Sequence, residues 1–252
     1  MSVLRTCKVR SQTISLELES DEQPEGTRNH ELWRADTFDS KEPDTLDWID
    51  TCIRPGDVLY DVGANIGQYS LYAAKQCKGD LTVLAFEPEA LNQAKLNRNI
   101  VLNDLVGTIL PHALAVADRT AIDTFYIQRF SFGASLHTWG KAITQGEKPF
   151  EPQNQQGVMA VSLDDLTGRF GLPFPTHIKI DVDGIEDQVV AGASEVLADE
   201  RLKTVLIEVF MHKDMADRVK EAFLSKRMEL SNADVIDYTP GIVQNLIFKR
   251  MT

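Results

Sequence analysis

Tyr60-Asp61-Val62-Gly63-Ala64-Asn65-Ile66-Gly67 decides how the rest of this chain is read. Gly56-Asp57-Val58-Leu59-Tyr60 before it reads as a short buried strand, and Tyr69-Ser70-Leu71-Tyr72-Ala73-Ala74 after it as the first turns of a helix. A strand that passes into a helix through glycines lets backbone approach a ligand while the helix amides point at it. Asp61 adds a carboxylate that a phosphate would repel, so the turn favours an amino-acid-bearing nucleoside over a pyrophosphate. The glycines fall as Gly63-x-Asn65-x-Gly67, without the Gly-x-Gly-x-x-Gly spacing whose second glycine admits a pyrophosphate.

Working outward, strand-like and helix-like segments alternate. Leu81-Thr82-Val83-Leu84-Ala85-Phe86 is a second buried strand ending at Glu87-Pro88, followed by a helix from Ala90 to Asn99. Gly107-Thr108-Ile109-Leu110, Ala113-Leu114-Ala115-Val116 and the alternating Ala121–Ile127 come next. Residues 128–157 have little periodicity and read as a loop, a lid or substrate-facing excursion containing the aromatic run from Phe130 to Trp139. The core resumes at His177-Ile178-Lys179-Ile180-Asp181, then a helix from Ile185 to Leu197, the strand Thr204–Glu208, a helix near Ala216–Leu224, and a closing pair near Glu229-Leu230 and Asn245–Phe248 with Pro240-Gly241 as turn chemistry. This order predicts an α/β, doubly wound, mostly parallel sheet with an antiparallel C-terminal hairpin. Residues 1–50 read as an acidic N-terminal segment and 51–252 as the main domain.

With 252 residues, 43% of them apolar, the chain can bury one large core. No apolar run approaches the roughly 20 residues of a membrane span, and the N-terminus lacks a secretory core, which predicts a cytoplasmic protein with no membrane partner. A net charge of -12 argues against nucleic acid. Cys7, Cys52 and Cys77 lack metal-ligand spacing and read as free thiols.

In an open parallel sheet the ligand lies beyond the carboxyl ends of the strands, so Asp61, Glu87, Asp181 and Glu208 share one crevice. Glu87 stands where an acid gripping ribose hydroxyls belongs, which by itself suits NAD or another adenosine cofactor. Three histidines are weaker candidates: His212 follows the Glu208 strand as a possible base, whereas His112 and His177 have no visible partner.

Asp61-Val62-Gly63-Ala64-Asn65-Ile66-Gly67, Phe86-Glu87-Pro88, Ser162-Leu163-Asp164-Asp165-Leu166 and Ile178-Lys179-Ile180-Asp181-Val182-Asp183-Gly184-Ile185-Glu186 together resemble the FkbM family of S-adenosylmethionine-dependent methyltransferases. Trp33-Arg34-Ala35-Asp36-Thr37 and Lys41-Glu42-Pro43-Asp44-Thr45 resemble its N-terminal portion, so the likeness runs from about residue 33 to Glu208. It implies a Rossmann-like, seven-stranded class I methyltransferase fold, S-adenosyl-L-methionine as cofactor, and methyl transfer to an oxygen of a small molecule or glycan. It further implies that Gly63, Ala64, Asn65 and Gly67 hold the methionine portion with Asp61 near its ammonium, that Glu87 binds the ribose, and that Pro88 and Ala113 lie near the adenine. Thr45 or Glu42 would reach the cofactor's carboxyl end, although Glu42-Pro43-Asp44-Thr45 also reads as a plain helix start.

Methyl transfer to a hydroxyl needs alignment and a proton acceptor. Asp181 is the first candidate, Glu208 the second, and Asp183 follows in the same turn. Two carboxylates at strand ends also suit a divalent ion, but no third ligand of convincing spacing is visible and no metal is assigned. The alternatives are an NAD-linked oxidoreductase, disfavoured by the glycine spacing, and a non-catalytic cofactor-binding module.

Overall fold

The computed structural model describes residues 2–22, 25, 28–144, 148–211, 213–233, 239 and 241–251. His212 and Pro240 lie outside the described residues. The chain opens with an antiparallel hairpin, β1 (Val3–Val9) and β2 (Gln12–Leu18), followed by α1 (His30–Thr37) and α2 (Pro43–Cys52). Only part of this was legible: Ile14–Leu18 alternates, but β1 is exposed at four of its seven residues and carries little apolar pattern. Val9, Ile14, Leu16 and Leu18 share one apolar cluster with Leu46 and Ile49 of α2.

The main sheet has seven strands: β3 (Val58–Val62), β4 (Thr82–Phe86), β5 (Ile109–His112), β10 (His177–Ile180), β11 (Thr204–Phe210), β12 (Met228–Leu230) and β13 (Val243–Arg250). Their spatial order is β12-β13-β11-β10-β3-β4-β5, with β3, β4, β5, β10 and β11 parallel and β13 antiparallel to β11 and β12. Winding runs one way from β3 to β5 and the other from β10 outward, so the switch point lies between β3 and β10. The fold is thus the doubly wound class that the strand order predicts.

Both sheet faces are covered, which is why the central strands read as unbroken apolar runs. Leu59, Val83, Ala85 and Leu206 pack toward α3 (Gln68–Gln76), α4 (Ala90–Leu102) and the hairpin. Tyr60, Val62, Ile178, Ile180 and Ile207 pack on the other face against α5 (Leu163–Gly168), α6 (Glu186–Ala191), α7 (Ser194–Ala198) and α8 (Lys213–Ser225). No helix among the described residues is long and apolar enough to cross a membrane.

Two expected boundaries move. The single helix from Ile185 to Leu197 is two, α6 and α7, broken at Gly192. A Cβ on Gly192 would lie 2.4 Å from the Ala117 carbonyl oxygen, so the break lets the chain press against its neighbour. The expected loop over 128–157 also contains β8 (Thr138–Trp139) and the start of β9 (Asn154–Val161). With β6 (Ala115–Val116) and β7 (Ala121–Ile127) these form a second sheet, ordered β6-β9-β7-β8.

Candidate active site

At the switch point the glycine turn and the strand ends enclose a cleft of about 800 Å³, part of it open to solvent. Gly63, Ala64, Asn65, Glu87, Pro88, Asp181 and Asp183 all line it. Gly63 is fixed by close approach: its φ is +83° and a Cβ would stand 1.8 Å from the Asp181 carbonyl oxygen. Asn65, at φ 52°, replaces a glycine in the left-handed region that asparagine tolerates. Its Nδ2 donates to the Ala134 carbonyl, 2.8 Å away.

Glu87 is buried, and its carboxylate accepts the backbone N–H of Asn65 at 2.8 Å and of Glu89 at 2.9 Å. Burial pushes its pKa up to about 8; the two amides oppose the shift, while the charges of Glu89 and Asp183 add to it. A ribose binding through its hydroxyls needs the ionised form, so cofactor binding should release a proton below pH 8. The affinity for S-adenosylhomocysteine is therefore expected to rise with pH, by at most about tenfold per unit, and to level above pH 8. Glu87→Gln should weaken binding by about 1.5–3 kcal/mol and flatten that profile. Calorimetry between pH 6 and 9 checks both, and a flat wild-type profile would count against Glu87.

Besides Glu208, four residues expected in this cleft lie elsewhere. Asp61 is buried behind it, accepting the Ser70 hydroxyl at 2.5 Å. Asp61 sits within β3 as the register partner of Lys179, so both side chains stand on one sheet face, where their charges attract and Ser70 of α3 covers the Asp61 carboxylate. Gly67 is the left-handed residue that starts α3, packed so that a Cβ would meet Leu96 Cδ1 at 2.6 Å. Ala113 faces a separate surface cleft, and Leu114 and Ala115 take the place expected for it. Thr45 is fully buried and donates to Glu42 Oε2 at 3.1 Å.

The segment from Phe130 to Trp139 closes over the cleft. Asn92 accepts the Gly133 N–H at 2.8 Å and donates to the Ala134 carbonyl at 3.0 Å, Arg34 Nε donates to the Gly133 carbonyl at 2.7 Å, and the Leu136 N–H reaches Asp183 at 2.6 Å. This places His137 and Trp139 on the cleft wall with Leu114 and Phe125. Trp139 Nε1 and His137 Nε2 are buried without hydrogen-bond partners. An apolar slot edged by orphaned polar atoms suits a heteroaromatic base. Trp139 belongs to the aromatic run read from sequence as a lid, and Arg34 to the N-terminal segment with the family likeness, whereas nothing in the sequence pointed to Asn92, which α4 brings in.

Asp181 accepts an ion pair from buried Lys179 Nζ at 3.0 Å. Burial works to raise its pKa, but the Lys179 ammonium, helped by Lys41 and Arg34, holds it down to about 2. Asp183 goes the other way, to about 6, through burial and the Asp181 charge. Glu186, of the same motif, is also buried, bonded to the Gly184 N–H at 2.9 Å and pushed up to about 8 by burial. Glu208 lies outside the cleft wall, in a second cavity between α2 and β13, where burial and the charges of Asp181 and Glu42 raise its pKa to about 9. Glu42 lines that second cavity too, and one carboxylate oxygen each from Glu42, Asp181 and Glu208 lie within 4.8 Å of one another. The two cavities therefore meet at three carboxylates.

Residues 61–234 match the family model described as the methyltransferase FkbM domain. The chain belongs to the FkbM methyltransferase family. It is 26% identical over 218 residues to the hexuronic acid methyltransferase AglP of Haloferax volcanii, covering 85% of this chain and 82% of that protein. It is 30% identical over 176 residues to the 31-O-demethyl-FK506 methyltransferase FkbM of Streptomyces tacrolimicus, covering 62% of this chain and 66% of that one. Among solved structures, the methyltransferase FkbM of Methylobacillus flagellatus superposes with a TM-score of 0.53 at 17% identity, over 78% of this chain and 44% of that one. The chain thus spans less than half of that structure and just under two thirds of the Streptomyces protein. Family membership makes the chain a methyltransferase rather than a nicotinamide-linked oxidoreductase.

Proposed function

We propose that this methyltransferase uses S-adenosylmethionine to methylate a hydroxyl of a sugar or other small molecule. The observation that carries the reading is the meeting of two cavities, one built around the glycine turn and Glu87, the other polar, at a cluster of carboxylates. The relatives named for a hexuronic acid and for a demethylated FK506 support an oxygen acceptor.

When bound, S-adenosylmethionine supplies a sulfonium methyl: the acceptor oxygen forms the new O–C bond as the C–S bond breaks, the electron pair stays on sulfur, and the hydroxyl proton leaves. Glu87 would accept the ribose hydroxyls, the Gly63 backbone would abut the cofactor, and Trp139 Nε1 and His137 Nε2 would be available to the purine. Lys179 neutralises Asp181 and fixes its carboxylate at the junction. In its ionised form Glu208 takes the acceptor's proton, so turnover should rise with pH toward about 9; Asp181 is paired with Lys179 and Glu42 with Lys41, whereas Glu208 has no ion pair among the described residues. This reverses the order of the two candidates expected from sequence.

Incubation with methyl-labelled S-adenosylmethionine and a panel of uronic acids, neutral sugars and macrocyclic alcohols tests the reading. Label in an ether is the expected product. Label on nitrogen or carbon would contradict oxygen transfer, and cofactor binding with no transfer to any acceptor would favour a non-catalytic module.

A further inference from the structure

Glu42, Asp181 and Glu208 come from three separate elements: the residue before α2, the end of β10, and β11. Their oxygens converge within 4.8 Å, and oxygens bound to one hard cation at about 2.1–2.4 Å lie at most about 4.8 Å apart. The cluster therefore spans the reach of a single ion. Lys179 and Lys41 each serve one of these carboxylates and leave Glu208 uncompensated among the described residues.

Asn245 supplies an independent sign. It is the register partner of Glu208 across β11 and β13, so both side chains lie on one sheet face, and both line the second cavity with Glu42. Asn245 Nδ2 donates to Thr45 Oγ1 at 3.2 Å, and that hydroxyl spends its own proton on Glu42 Oε2. The amide orientation is thereby fixed, with Oδ1 turned away from Thr45. Asn245 is 9% exposed, and its Oδ1 is buried with no donor. A buried acceptor without a donor, in the cavity it shares with Glu42 and Glu208, suits a positive ligand.

We propose that Glu42, Asp181 and Glu208, with the amide oxygen of Asn245, hold a divalent cation. An all-oxygen ligand set selects a hard ion of the Mg²⁺ or Mn²⁺ class. In octahedral geometry four protein oxygens leave about two positions open, which fits an acceptor offering two neighbouring oxygens, a vicinal diol or a hydroxy acid. Resting on the methyltransferase reading, the ion polarises the acceptor hydroxyl where the two cavities meet, and the second oxygen of Glu208 remains free for the proton.

Titration of chelator-treated full-length protein with Mn²⁺, followed by the free-ion electron paramagnetic resonance signal, tests the site. The expected result is one Mn²⁺ per chain, weakened about tenfold or more in Glu208→Gln and in Glu42→Gln. Asp44→Asn, in the same cavity but outside the cluster, should bind as wild type, and circular dichroism of each variant confirms its fold. No Mn²⁺ binding, or binding unchanged by Glu208→Gln, would overturn the site and leave the cluster relieved by a proton instead. S-adenosylhomocysteine binding on the same samples separates the two readings: lost ion binding with cofactor binding intact condemns the ion site alone, and the reverse condemns the methyltransferase cofactor.

Discussion

Gly63→Ala is expected to abolish cofactor binding and to cost at least about 4 kcal/mol of stability. The added Cβ would stand 1.8 Å from the Asp181 carbonyl oxygen and 2.8 Å from its carbon, so β3 and β10 would have to part at the switch point. Backbone conformation adds to this, since φ +83° suits glycine. Gly56→Ala provides the comparison, with φ +85° but nothing within 4 Å of the new methyl. It should lose only about 1–2 kcal/mol and keep its cofactor. Urea unfolding and calorimetry of both variants check the contrast. Equal behaviour would mean that close approach at Gly63 does not shape the site.

Glu208→Gln should lower turnover by about 10²–10⁴-fold, the range for loss of a positioned proton acceptor. Its affinity for S-adenosylhomocysteine should change little, because Glu208 lines the second cavity and not the cofactor cleft. A turnover loss without an affinity loss is the signature of a group acting in the transition state. Unchanged turnover would remove Glu208 from proton transfer and return attention to Asp181 or Asp183.

How much of this site the sequence disclosed follows from geometry. The rule that ligands lie beyond strand carboxyl ends led to Glu87 and Asp181, and the glycine turn to Gly63 and Asn65; all four line the cleft. The same rule put Asp61 and Glu208 there as well, but Asp61 is covered by the Ser70 hydroxyl of α3 and Glu208 opens to the second cavity. Glu42 was visible as a charged residue at a helix start, but its meeting with Glu208 depends on how α2 packs beside β13. The orphaned oxygen of Asn245 was invisible for the same reason: register with β11 sets it there. In the fold, apolar runs revealed the buried strands, whereas the exposed β1 and the break at Gly192 left no periodic trace.

The central claim is that the cleft around Gly63 and Glu87 holds the methyl donor. Isothermal calorimetry of S-adenosylhomocysteine with the folded wild-type chain tests it most directly. The account predicts one site per chain, with affinity rising toward pH 8 and lost in Gly63→Ala. Absence of binding by folded wild-type protein across that pH range would contradict it.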